Sequence, residues 1–152
     1  MPQQTHLNQR LIMKSITLFI YSLVAYLIGF VSLLIWILSL SNLIPEISID
    51  RHPEMSFSLA LLKNSILVLL FAIPHSLMAR QSIKDRIIRI LPKSIERSTY
   101  VLQAGLLLLI VVWQWEPLGG NIWNFAAGSP LFYTMYFLFF LGWPFFSFCR
   151  RR

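Results

Sequence analysis

The sequence predicts an all-α, polytopic membrane protein with four transmembrane helices, both termini in the cytoplasm, and a short interfacial helix between the second and third. Three observations predict this. Of 152 residues, 57% are hydrophobic and 12% charged, against about 25% charged in an ordinary soluble domain. The apolar residues gather into runs near the roughly 20 residues that a helix rising 1.5 Å per residue needs to cross hydrocarbon. Basic and non-basic connections alternate between the runs, and that alternation sets orientation.

The first run, Ser15 to Leu40, is long enough to cross with tilt. Arg10 and Lys14 precede it as they would a signal peptide, but the run is too long and no small-residue cleavage site follows, so it reads as a retained helix. The second run is Met55 to Ile73, with Pro74 and His75 closing it on the cytoplasmic side. The third, Tyr100 to Trp115, is short, and gains length if its helix opens in the Ser94–Thr99 turn, giving a span of about 97–115. The fourth is Leu131 to Phe148. Between the second and third, Ile83, Ile87, Ile90 and Leu91 recur at helical spacing, with Lys84, Arg86 and Arg89 largely opposite. That pattern predicts a helix lying on the membrane, capped by Ser82 with Asp85 and ended by Pro92. Trp113, Trp115 and Trp123 mark an outer aromatic belt, and Gly119-Gly120-Asn121 a turn. No repeat or linker divides residues 1–152, which read as a single membrane domain.

The formal charge of +7 follows from this arrangement. Arg10 and Lys14, then Arg80, Lys84, Arg86, Arg89, Lys93 and Arg97, then Arg150 to Arg152 fall on one side. The other side has Glu46, Asp50 and Glu54 against Arg51, and Glu116 alone. Attraction to an anionic inner leaflet accounts for most of the cations, at about 1 kcal/mol per residue near the surface. Nucleic acid is excluded as a partner, because no separate soluble domain presents the charge. One cysteine, Cys149, excludes an internal disulfide; beside three arginines it is either an inert thiol or an S-palmitoylation site.

Polar residues within the runs are the candidates for function. Lys63 lies about eight residues into the second run, on the order of 12 Å from its outer end at helical rise. It is expected to meet a neighbouring helix, in a hydrogen-bonded group with Asn64 and a partner such as Glu54, or else to bind an anionic group. His75 is expected to bond across helices to Ser76, Glu96 or Tyr100, or to line a pocket open to the cytoplasm. Glu96 and Arg97 also suit the opening turn of the third helix. No His, Cys or carboxylate set has metal-ligand spacing, so no metal is expected. Phosphate-loop, dinucleotide and nucleophile-elbow motifs are absent, and no repeat or broken helix pair supports a transporter. The residues alone name no reaction.

His75-Ser76-Leu77-Met78-Ala79-Arg80, then Pro92, Glu96-Arg97-Ser98-Thr99-Tyr100-Val101-Leu102 and Trp113-Gln114-Trp115 resemble the NnrU family. Within it they most resemble the membrane methanethiol S-methyltransferases, distantly similar to isoprenylcysteine carboxyl methyltransferases. The resemblance covers about Lys63 to Trp143. It implies a multi-span protein of the bacterial inner membrane that uses S-adenosylmethionine to methylate a small thiol. By the same resemblance His75 and Arg97 are the catalytic candidates, and Arg80, Glu96 and Tyr100 the candidates for binding substrate or cofactor, which Lys63 joins through its depth in the second run. An apolar thiol partitions from the bilayer and a charged cofactor arrives from the cytoplasm, so the two paths meet at this boundary.

The family pattern continues with an H-P-x-Y-type stretch and an R-x-x-x-E-E-type stretch associated with the cofactor, and neither occurs here. The expectation is a truncated member, inactive alone, that needs a complementing C-terminal half; the chain by itself supports no cofactor. The alternative is a non-catalytic NnrU-type membrane partner or assembly protein linked to nitrogen-oxide respiration.

Overall fold

The computed structural model describes residues 2–90, 92–120 and 125–149, with side chains described from 9 to 144 within those ranges. Five α-helices follow one another: α1 (Pro2–Ser41), α2 (Phe57–Ala79), α3 (Gln81–Ile87), α4 (Lys93–Gln114) and α5 (Pro130–Cys149). A short 3-10 turn, Pro45–Ile47, interrupts the first connection. No strand occurs among the described residues.

Three helices are long and apolar enough to cross a membrane: Gln9–Ser41, Phe57–Ala79 and Lys93–Gln114. The fourth expected crossing falls on α5, part of which lies beyond the described side chains. The distribution of residues is that of a lipid-facing bundle. Among the described residues the buried hydrophobics are Ala25, Ala60, Leu67, Val111 and Val112, whereas Phe19, Leu27, Phe30, Leu62, Ile66, Leu69 and many like them face outward. So wide an apolar exterior fits hydrocarbon and not water.

With no hydrophobic force to drive helices together in lipid, small residues and interhelical hydrogen bonds hold them. α1 and α4 meet at Gly29 and Gly105, where a Cβ on Gly105 would stand 2.9 Å from the Cα of Gly29 and 3.0 Å from Ser32 Oγ. Ser98 Oγ donates to Ser22 Oγ at 2.9 Å, and Tyr21 Oη and Thr99 Oγ1 share a bond of 2.9 Å. These contacts advance together along both helices, so α1 and α4 are parallel. α2 runs antiparallel to α4, since His75 meets Tyr100 while Asn64 meets Glu116. α5 runs antiparallel to α1: Trp143 lies edge-on to Trp36 at 5.4 Å, and Tyr136 Oη donates to the Ser41 carbonyl at 2.7 Å. The described cations Arg80, Lys84, Arg86, Arg89, Lys93 and Arg97 therefore share one end with the His75–Tyr100 contact. Glu46, Asp50, Glu54 and Glu116 share the other.

The helices run past several of the apolar runs, and two expected helix ends are corrected. α1 begins at Pro2, well ahead of Ser15, and carries Arg10 and Lys14 on its own surface. α2 runs through Pro74 to Ala79, so His75 lies inside the helix and does not end it. α4 opens at Lys93, earlier than residue 97, in the Ser94–Thr99 region that the short third run required. α3 starts at Gln81 after Arg80, with no side-chain cap; Ser82 sits within it, and Asp85 accepts a bond from Gln81 Nε2 at 2.9 Å. A carboxylate one turn from an amide has that nearer partner, and the expected cap is lost. Leu91, Asn121 and Trp123 lie outside the described residues; Trp113 is 80% exposed, and Gly119 and Gly120 turn with φ of 73° and 78°.

Candidate functional site

One face of α2 carries Ala60, Asn64, Leu67, Phe71 and His75, spaced at three and four residues so that they form a single stripe. The facing stripe of α4 runs through Glu96, Tyr100, Gln103 and Leu107 toward Val111. Where the stripes meet at the basic end, Tyr100 Oη lies 3.2 Å from His75 Nδ1 and 3.1 Å from Nε2. An oxygen nearly equidistant from both ring nitrogens is in line with neither lone pair, so the imidazole keeps capacity for a further partner. Phe71, one turn before His75, stacks on the imidazole with centroids 5.1 Å apart and planes 19° apart. The Tyr100 ring lies 5.3 Å away on a tilt of 35°.

Of the three partners expected for His75, the structure selects Tyr100. Glu96 is half-buried one turn before Tyr100 on the same face, while Arg97 and Arg80 are exposed. Among the described residues the side chains of Glu96, Arg97 and Arg80 take part in no ion pair. Glu96, Arg97 and Arg80 thus lie at the same end of the bundle as His75 and Tyr100.

Lys63 belongs elsewhere. It is twelve residues before His75 on one helix, hence about 18 Å away along the axis, too far to share a small ligand. Its partner is also corrected: Lys63 Nζ pairs with Glu116 Oε2 at 3.2 Å, not with the Glu54 carboxylate. Glu54 contributes its backbone N–H, which donates to Glu116 Oε1 at 2.8 Å. Asn64 closes the group, donating from Nδ2 to the Glu116 carbonyl at 2.6 Å and accepting from the Glu116 N–H at 3.0 Å. Arg51 adds bonds to the carbonyls of Trp115 (3.0 Å) and Glu46 (2.8 Å). The antiparallel register of α2 and α4 sets this pairing by bringing the end of α4 level with Asn64. The Glu116 carboxyl is held below the usual carboxylate range, chiefly by the Glu54 N–H, with burial opposing and Lys63 adding to the effect.

Phe71, Gln103 and Glu116 are the residues that the sequence reading passed over. Each had a signal: an aromatic one turn before a histidine, a lone amide in an apolar run, and the single acid of its connection. A cavity of about 840 Å³, lined by Leu40, Phe125, Phe132, Met135, Tyr136 and Phe139 among others, opens between α1 and α5. It lies toward the far end from His75; its wall is apolar apart from Ser41, Asn42 and Tyr136, and the Ser41 and Tyr136 hydroxyls are engaged by the Leu38 and Ser41 carbonyls. Among the described residues no three His, Cys, Asp or Glu side chains converge as a metal site.

No protein-family profile matches the chain, so the NnrU likeness rests on the quoted motifs alone. No solved structure matches either. Among curated proteins, the chain is 37% identical over 145 residues to a methanethiol S-methyltransferase of Crocosphaera subtropica, covering 94% of this chain and 55% of that protein. It is 41% identical over 125 residues to methanethiol S-methyltransferase 1 of Bradyrhizobium diazoefficiens, covering 82% and 44%. A methanethiol S-methyltransferase of Mycobacterium tuberculosis is 34% identical over 131 residues, covering 86% and 53%. The chain spans about half the length of the curated relatives it matches. Over most of its own length it is a homologue of proteins named methanethiol S-methyltransferases.

Proposed function

We propose that this chain is the thiol-side membrane portion of an S-adenosylmethionine-dependent S-methyltransferase of the inner membrane, acting on a small methanethiol-like thiol. Positive-inside orientation places both termini, the interfacial helix α3 and the His75–Tyr100 seam on the cytoplasmic side, and the fourth crossing is α5. The observation that carries the reading is the meeting of His75 and Tyr100 at the basic end, inside the block that resembles these enzymes.

The residues present fit a sulfonium-bearing zwitterion. Phe71, His75 and Tyr100 offer ring faces to a cation. Glu96 suits an ammonium group, and Arg97 or Arg80 a carboxylate. Bound there, S-adenosylmethionine would supply an electrophilic methyl carbon on positive sulfur, open to in-line attack by a thiolate, with the carbon–sulfonium bond breaking and neutral S-adenosylhomocysteine as the leaving group. His75 takes the thiol proton, and Tyr100 holds the imidazole against α4. The hydrocarbon side of the seam admits an apolar thiol and excludes water, which sharpens every charge interaction in it. Residues matching the rest of the relatives' length complete the catalyst.

The test is dimethyl sulfide production from methanethiol and S-adenosylmethionine in lipid nanodiscs, with this chain alone and with the complementing part of a relative. The expected result is product from the combination, lost in His75→Phe and reduced in Arg97→Gln. A combination that neither binds S-adenosylmethionine nor forms product defeats the reading and favours the non-catalytic NnrU-type partner.

A further inference from the structure

Gln103 follows Tyr100 by three residues, so its side chain leaves α4 on nearly the same face, one turn deeper into the bundle. Its Oε1 and Nε2 are both sealed from solvent, and neither has a hydrogen-bond partner among the described residues. An amide in that state is expensive in a low-dielectric surround, and each such group calls for a reason.

General looseness is not the reason. Other buried polar side chains of the bundle are served: Asn64 by the Glu116 backbone, Ser98 by Ser22, Ser32 by the Gly29 carbonyl. The exception lies one turn beyond Tyr100, whose hydroxyl is the one hydrogen-bond partner of the His75 imidazole among the described residues and is shared between its two nitrogens. A donor-and-acceptor amide and a phenol on one face of α4 thus lie along the same seam as an imidazole on α2, whose stripe also carries Phe71 and the buried Leu67.

We propose that Gln103 binds the sulfur of a small uncharged thiol, its amide N–H donating to sulfur while the S–H faces His75. The substrate class rests on the methyltransferase reading; the residue, the bond and the depth are new. Three side-chain torsions let the amide swing from its sealed seat toward the imidazole. The short alkyl group then lies on Phe71 and Leu67, where water, with no apolar part, gains nothing.

The probe is methanethiol, with methanol as the oxygen analogue, added to the full chain in lipid nanodiscs while thermal unfolding is followed. Methanethiol is expected to raise the midpoint of the unchanged chain, and methanol is not. Gln103→Leu, close in size and without the amide, is expected to unfold later than the unchanged chain when no thiol is present. It should bind methanethiol at least tenfold more weakly, and Gln103→Met, equally flexible, should behave the same way. A thiol-dependent rise that survives in both variants overturns the proposal, leaving Gln103 a packing residue; so does an equal response to methanol, which marks a water seat. Because binding is read without cofactor, loss of binding in the two variants supports the proposal whether or not methyl transfer is seen. Methyl transfer with unchanged thiol affinity in the variants overturns it and leaves the reaction standing.

Discussion

Replacing Asn64 with alanine tests whether the end of the bundle away from His75 is a fixed joint. Asn64 is 4% exposed and exchanges two hydrogen bonds with the backbone of Glu116, at 2.6 and 3.0 Å. Alanine removes both bonds, each worth about 1 kcal/mol net, and strands a backbone N–H and C=O whose desolvation adds about 1–3 kcal/mol. The sum is about 3–5 kcal/mol, and in a chain of this size it lowers the unfolding midpoint by roughly 6–20 °C. Tryptophan fluorescence during heating in lipid nanodiscs reads this directly, since Trp115 adjoins Glu116. Asn64→Asp is expected to be worse than alanine, because it keeps the acceptor but sets a carboxylate against the Glu116 carbonyl. Ser65→Ala is the control: Ser65 is exposed on the same helix and bonds only to the Leu61 carbonyl at 2.7 Å, so its midpoint should stay within the scatter of the unchanged chain. An Asn64→Ala midpoint no lower than that of Ser65→Ala refutes the joint.

Acid should loosen the same end. The Glu116 carboxyl titrates below its unfolded value, so its contribution is fully present above about pH 4.3 and is lost as pH falls through the lower folded value. Unfolding midpoints taken from pH 7 to pH 3 should drop in that window, and Glu116→Gln should start lower and flatten the curve. At the α1–α4 contact, Gly105→Leu meets Gly29 backbone at 2.9 Å and is expected to cost about 1–3 kcal/mol by forcing the helices apart. Gly142→Ala, whose Cβ meets nothing within 4 Å, should unfold like the unchanged chain in the same assay. Tyr100→Phe removes the hydroxyl facing His75 while keeping the ring, so methyl transfer by the complemented protein should fall with little change in midpoint; unaltered turnover would assign Tyr100 to packing alone.

The alternation of charge along the chain was enough to forecast antiparallel neighbours and to bring His75 near the Glu96–Tyr100 turn, because orientation in a bilayer follows basic residues more than any contact. Helix ends were less legible. Pro74 reads as a stop in water, where a freed carbonyl can turn to solvent and the helix loses little by ending. In an apolar surround the chain keeps every other backbone bond by continuing, and α2 runs on to Ala79. The partner of Lys63 was misassigned for a different reason. Glu54 is closer in sequence, but the choice is made by the register of α2 against α4, and no spacing within either helix encodes it. Gln103 was hidden by its company: one amide among leucines and valines barely alters an apolar run, and only the facing stripe of α2 shows that it is enclosed.

The two ends of the α2–α4 seam answer the same problem in opposite ways. At the end away from His75 the side chains of the Lys63, Asn64 and Glu116 cluster are all paired, and the carboxylate accepts from a backbone N–H and an ammonium. At the basic end an imidazole is touched obliquely, an amide is unpaired, and Glu96 and Arg97 hold no ion pair among the described residues. Both ends are built by the same two helices, so the difference cannot come from helix propensity or from lipid. Stability alone would resolve the basic end as it resolves the other, with leucine in place of Gln103 the simplest solution. Unspent hydrogen-bonding capacity kept beside a titratable ring is what binding and proton transfer require. That contrast, independent of any relative's name, supports the proposal that His75 and Tyr100 take part in the chemistry, while the Lys63, Asn64 and Glu116 cluster ties α2 to the end of α4.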